Sequence, residues 1–382
     1  MTSAHADDLD DVALLERRDP AQMLRAVASS AAQVREAAVL AEEAGLSRLA
    51  DEGRPRTVVV CGMGGSGIAG DVLAAVAGAG SPVPLLTHRG YGLPAWVGAT
   101  DLVVAVSCSG STEETLSALE EAVRRGCRLV VVAADGSPVW ELGRRGRAVV
   151  VPVTQGRQPR ASVWSLSTPL VVAGHALGLL QAPPEAVEAT AGLLEQLAGR
   201  CRPDADVMVN PAKQLARELS GTLPVLWGTS PLAGVAAYRG ACQLNENGKY
   251  PAVWGVLPEA NHNQVVAFDG PFAGSSGAPL SDEDFFRDRV DDDPAGRTPL
   301  HLVLLRDTEE HPQVTRRAEV SRDLAQERGL GVSSVLAEGT SSFERLAALV
   351  GLLDWASVYL ALAEGTDPTP VDAIDALKLR IR

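Results

Sequence analysis

Arg56-Thr57-Val58-Val59-Val60-Cys61-Gly62-Met63-Gly64-Gly65-Ser66-Gly67 is the stretch on which the fold turns. Its first half is a β-branched run suited to a buried strand, and its second half is a glycine cluster leading into a small-residue helix near Ile68. That order predicts a strand, a tight turn and a helix whose N-terminus the backbone can close around an anion. The same rhythm continues outward: strands are expected at 83–87, 101–107, 129–133 and 148–151, with a helix at 113–125. After a helical stretch at 161–180, Gln181-Ala182-Pro183-Pro184 interrupts the chain before a helix at 185–197. The pattern then restarts with strands at 223–228, 252–256, 301–306 and 332–336, and helices at 232–245 and 314–328. Helices at 342–362 and 371–380 close it. Alternation of this kind predicts an α/β protein of two domains, each a mostly parallel sheet flanked by helices on both faces, a three-layer αβα arrangement. The expected division is a helical segment at 1–50, a first domain at 51–200 and a second at 201–382. The run 270–296, rich in Gly, Ser, Pro and Asp, reads as a long surface loop.

The bulk composition agrees with two compact domains and narrows the partners. The chain has 382 residues, 46% hydrophobic and 21% charged, with 37 glycines. A net charge of -14 repels a nucleic-acid backbone, so no nucleic-acid partner is expected. Cys61, Cys108, Cys127, Cys201 and Cys242 form no C-x-x-C pair and are odd in number, which suits a reducing cytoplasm. The six histidines show no metal-ligand spacing, so no metal is expected. The polar, acidic start Met1-Thr2-Ser3-Ala4-His5-Ala6-Asp7-Asp8 is unlike a signal peptide, and the apolar run 168–180 is short and broken by Pro169, Gly174 and Gly178. No membrane segment is expected.

Two turns carry the candidate chemistry. Gly62 to Gly67 fits G-x-G-x-x-G, but the acid that would hold a ribose is missing where Leu86-Thr87-His88-Arg89 stands, which weakens a nicotinamide reading. Glycines packing a helix closely on a strand would look the same. Ser107-Cys108-Ser109-Gly110-Ser111-Thr112-Glu113-Glu114-Thr115 sets hydroxyls and N–H groups at the start of the next helix, a cup for phosphate. Plain helix capping is its bland alternative. Glu246 between two asparagines, His262, Arg160 and Lys378 are the remaining candidates, each with a bland reading as a solvated, capping or paired side chain.

These motifs, with Pro159-Arg160-Ala161, Asn245-Glu246-Asn247-Gly248-Lys249, Glu259-Ala260-Asn261-His262-Asn263, Asp367-Pro368-Thr369-Pro370-Val371 and Leu377-Lys378, resemble in order those of the bifunctional phosphoglucose/phosphomannose isomerases of the sugar isomerase (SIS) superfamily. The resemblance spans about residues 55 to 380. It implies two SIS domains and a cofactor-free, metal-independent isomerase that interconverts fructose 6-phosphate with glucose or mannose 6-phosphate through an enediolate. It implies Glu246 as base, His262 for ring opening and supplied by a neighbouring subunit of a homodimer, Lys378 assisting at the ring oxygen or neutralising developing charge, and Arg160 on the enediolate oxygens. Gly65, Ser66, Ser107, Ser109 and Thr112 would take the phosphate. Cys108 and Ser111 replace an aromatic residue and an asparagine common in that family, and 270–296 is longer than its usual counterpart. The alternative is a regulatory protein of the same fold that binds a phosphosugar without turning it over.

Overall fold

The computed structural model describes residues 6–273 and 298–381. Five strands, β1 (Val58–Cys61), β2 (Leu85–His88), β3 (Leu102–Ser107), β4 (Arg128–Ala133) and β5 (Val149–Pro152), form one sheet in the order β2-β1-β3-β4-β5. Four more, β6 (Leu223–Gly228), β7 (Val253–Val256), β8 (Leu300–Arg306) and β9 (Gly331–Leu336), form a second in the order β7-β6-β8-β9. Every pairing is parallel. Parallel strands are joined through crossovers and covered on both faces, which explains the near-continuous apolar runs of β1 and β3. The α/β class with two helix-flanked parallel sheets is therefore as expected.

In the first sheet Val59, Cys61, Val103, Ala105 and Val131 face one way, onto Ala118, Leu119 and Ala122 of helix Glu113–Arg124 and Val139 of helix Pro138–Arg145. Val58, Leu102, Val104 and Val130 face the other way, onto Leu73 of helix Gly64–Ala77 and Leu170 and Ala173 of helix Val163–Ala176. In the second sheet Val225, Trp227, Leu302 and Leu304 pack with Val314 and Ala318 of helix Pro312–Glu327 and with Ala260 and Phe268. Leu226, one residue out of phase, meets Gly240 of helix Pro231–Gly248 on the opposite face.

The chain divides into two compact units. Residues 25–198 with 338–351 carry the five-stranded sheet, whereas the first 24 residues go with 199–337 and 352–382. Short helices cannot bury their apolar stripe alone, so the N-terminal ones are shared out between the units. Helices Pro138–Arg145 and Pro211–Leu219 were absent from the sequence pattern, yet each has the proline and side-chain cap of a helix start, Ser137 and Asn210 respectively. Pro169 does not break its segment, because helix Val163–Ala176 runs through it. One described helix, Ser342–Ala363, is long and apolar enough to cross a membrane, and its apolar window is 94% buried in the protein. The five cysteines are free thiols. Of the 270–296 run, only residues up to Ala273 lie within the described residues.

Candidate functional site

The order β2-β1-β3-β4-β5 reverses direction between β1 and β3, and the crevice beyond the C-terminal ends of such strands is where open α/β sheets bind ligands. Both turns singled out in the sequence lie there. Met63 is the N-cap of helix Gly64–Ala77 and Thr112 that of helix Glu113–Arg124, and neither side chain bonds to the helix N–H groups it precedes. Two helix N-termini thus open onto one crevice, an arrangement that attracts an anion.

Hydrogen bonds join the motifs. The Cys108 N–H donates to Ser66 Oγ at 3.2 Å, tying the second turn to the first. Ser107 Oγ receives the Gly110 N–H at 3.0 Å and pairs with Thr112 Oγ1 at 2.9 Å. Ser107 is fully buried and works inside the turn, whereas Gly65, Ser109 and Thr112 are accessible. The third motif arrives through Cys108. Burial pushes its thiol pKa up, while a hydrogen bond with Ser162 pulls it partly back. A neutral thiol in this place adds no charge to oppose a phosphate. Ser162 follows the short turn Pro159–Ala161 that carries Arg160, itself 8% exposed.

The segment around Arg160 is held by residues that no motif marks. Gln33, fully buried on helix Ser30–Glu43, donates from Nε2 to Ala161 O at 2.7 Å and accepts at Oε1 from Ser165. One turn along, Glu36 accepts from Thr154 at 2.7 Å and from Arg157 at 2.6 Å, which keeps its carboxyl below the usual range despite its burial. Gln33 and Glu36 are ordinary helix residues in sequence, and no local signal distinguishes them.

The second unit supplies different groups. Glu246 is half-buried on the last turn of helix Pro231–Gly248. Its neighbour Asn247 is fully buried and donates to Ser357 Oγ at 2.9 Å. Lys249 caps the helix in the left-handed region, and its ammonium donates to Asn247 O at 3.3 Å and Asp367 O at 2.7 Å. The Asn245–Lys249 and Asp367–Val371 motifs are thereby brought together. Lys378 is exposed, on a helix, Asp372–Ile381, with no buried residue. His262 is exposed at the end of the short turn Glu259–His262.

Glu246 and His262 do not share a face. Ala260, two residues before His262, packs on the Trp227 side of the second sheet, whereas the helix of Glu246 packs on the Leu226 side. The crevice at this sheet's own reversal, between β6 and β8, is filled by Ser230 bonded to Asp307 at 2.8 Å and Thr229 bonded to Glu310 at 2.6 Å. Glu310 is itself ion-paired with Arg306 at 2.6 Å, so the polar groups at this reversal are satisfied by one another. No group of three or more His, Cys, Asp or Glu side chains is placed to hold a metal among the described residues.

Two helix-flanked parallel sheets, with a glycine and hydroxyl seat at the reversal of the first, define an α/β protein of SIS type. Residues 208–381 match the family model of the bacterial phospho-glucose isomerase C-terminal SIS domain. The chain is 32% identical to a bifunctional phosphoglucose/phosphomannose isomerase of Caldicellulosiruptor bescii over 85% of its length and 89% of the relative's. It is 30% identical to one from Aquifex aeolicus, over 85% and 90%. In fold it is similar to a hypothetical protein from Thermus thermophilus (TM-score 0.72, 18% identity, covering 100% of this chain and 95% of that one). It is likewise similar to a glucose-6-phosphate isomerase from Chlamydia trachomatis (TM-score 0.71, 14% identity, 99% and 85%). The chain belongs to the bifunctional phosphoglucose/phosphomannose isomerase family.

Proposed function

We propose that this protein is an aldose–ketose isomerase that interconverts fructose 6-phosphate with glucose 6-phosphate, mannose 6-phosphate or both, without a metal, as a cytoplasmic homodimer. The observation that carries the reading is the seat itself, in which the Cys108 N–H donates to Ser66 Oγ and joins the two turns at the sheet reversal. The phosphate is held by the accessible N–H and hydroxyl groups of Gly65, Ser109 and Thr112, with Ser66 and Ser107 shaping the turns. His262 moves a proton from O1 to the ring oxygen, which opens the sugar, and Lys378 assists at that oxygen. Glu246 then removes the proton from C2 of the aldose. The C–H electron pair becomes the C1–C2 double bond, and the charge that develops on the oxygens is met by Arg160. The O2 proton passes to O1, and Glu246 returns its proton to C1 to give the ketose.

The opposite faces occupied by Glu246 and His262 favour a site completed by His262 of a second subunit. The test is proton exchange followed by NMR in D2O with EDTA-treated protein and each of the three hexose phosphates. Wild type is expected to exchange and turn over, and Glu246→Gln to lose about two to four orders of magnitude in kcat, the usual worth of a general base. Binding of the sugars by wild type without exchange would overturn the reading.

A further inference from the structure

The chain leaves β2, the edge strand, beside the seat: the Gly62 N–H donates to His88 O at 3.3 Å. The next nine residues, 89–97, touch both helices whose N-termini form the seat. Arg89 forms an ion pair with Asp71 of helix Gly64–Ala77, and the other Asp71 oxygen accepts from Thr87 Oγ1 at 2.8 Å. Arg89 Nε also lies 2.9 Å from the point that a Cβ on Gly67 would occupy, alongside the first turns of that helix.

The loop then follows helix Glu113–Arg124 along a single stripe. The Gly92 N–H donates to Ser117 Oγ at 3.1 Å and the Leu93 N–H to Glu121 Oε2 at 2.6 Å. Arg125 donates to Pro94 O at 2.7 Å, to Val97 O at 2.9 Å and to Leu93 O at 3.2 Å. Residues 117, 121 and 125 recur every fourth position, so they stand one above another on the helix. Tyr91 lies near Glu114 and Glu113, whose charges raise its pKa, beside the turn that bears Thr112. Leu93 and Val97 sink into the core on the face of helix Glu113–Arg124, whereas Asp71 belongs to a helix on the opposite face. The loop therefore wraps the sheet edge and is pinned on both sides.

We propose that residues 89–97 form a brace that fixes the spacing of the two helix N-termini, and that Arg89 and Glu121 are positioning residues for the substrate phosphate. The inference rests on the seat being the phosphate site. A phosphate bridged between two helix ends needs them at one separation, and the Ser66–Cys108 bond by itself holds only one point of that gap. Because the brace is one strap with two anchors, releasing either anchor slackens both helices.

The experiment is a double-mutant cycle with Arg89→Ala, Glu121→Ala and the pair. Its readouts are inorganic phosphate binding by calorimetry, KM and kcat for fructose 6-phosphate, and Tm. Each single variant is expected to weaken phosphate binding and raise KM about five- to tenfold with kcat within about twofold, and the pair to add no more than about twofold to the worse single. Arg89→Lys and Glu121→Gln, which keep a partner at each anchor, should recover most of the affinity and serve if the alanine variants fold poorly. Unchanged phosphate affinity in folded single variants, or a pair whose loss is the product of the two, would overturn the brace. Failure of wild type to bind phosphate would instead overturn the reading of the seat.

Discussion

Ser137 decides what residue 110 is. Gly110 has φ +68, and a Cβ there would stand 1.9 Å from Ser137 Oγ and 2.2 Å from Ser137 Cβ. Ser137 cannot retreat cheaply, because it caps helix Pro138–Arg145 through the Trp140 N–H. Gly110→Ala is therefore expected to cost on the order of 3 kcal/mol from strained backbone and overlap together, seen as a lower Tm. It should also weaken phosphate binding, because the Gly110 N–H anchors Ser107. An unchanged Tm would mean that the turn can rebuild. The turns were legible in sequence because strand, glycine and hydroxyls follow one another within a dozen residues, and each step has its own chemistry. Gln33 was not legible: its bond to Ala161 closes 128 residues of chain, and an amide on a helix looks the same whether buried or solvated. Ser162 escaped for a related reason, since its hydroxyl donates to Gln158 O at 2.8 Å within its own turn while it lies beside the Cys108 thiol of a distant one.

At the scale of elements, β1 and β3 are tied at their N-terminal ends by Arg56 and Asp101. Asp101 is buried and accepts from Arg56 Nε at 2.9 Å, from Arg56 Nη2 at 2.6 Å and from the Gly98 N–H at 2.8 Å. Burial raises its pKa, but the Arg56 and Gly98 bonds outweigh burial and leave it below the ordinary carboxylate value. A depressed folded pKa means that the stabilisation is present above the unfolded value, about 3.9, and is lost as pH falls through the folded one. Asp101→Asn should lower Tm at pH 7, and the gap from wild type should close as the pH drops below the carboxylate range. A gap that stays constant with pH would assign the loss to shape instead of charge. Elements with long apolar runs were readable for the same reason that they are stable: β3 and β4 are buried on both faces. The helices missed were of eight and nine residues, too short for periodicity to declare itself, although the proline and cap at each start were present.

At the scale of the molecule, the two sheets have the same strand order over their common strands but different uses. The reversal of the first carries two helix N-termini without side-chain caps, and that of the second carries Asp307 bonded to Ser230 and Glu310 bonded to Thr229 and Arg306. The second contributes Glu246 and His262, which its β-strands hold on opposite faces. Helix Pro231–Gly248 begins beside Gly228 and rises about 1.5 Å per residue, so Glu246 stands roughly 20 Å from the strand end that leads to His262. On the proposed mechanism one chain holds its base far from its ring-opening histidine, and a second copy related by a twofold axis can supply that histidine. Glu246→Gln and His262→Ala should each be nearly inactive alone. Unfolded together and refolded as a mixture, they form hybrids in which one of the two sites joins an intact Glu246 to an intact His262. With half the dimers hybrid and half their sites whole, about a quarter of wild-type kcat should return, and each restored site should keep its normal KM. If both residues served the same subunit, every site in the mixture would lack one of them. Mixing would then restore nothing, and the shared site would have to be abandoned even if the isomerase chemistry stood.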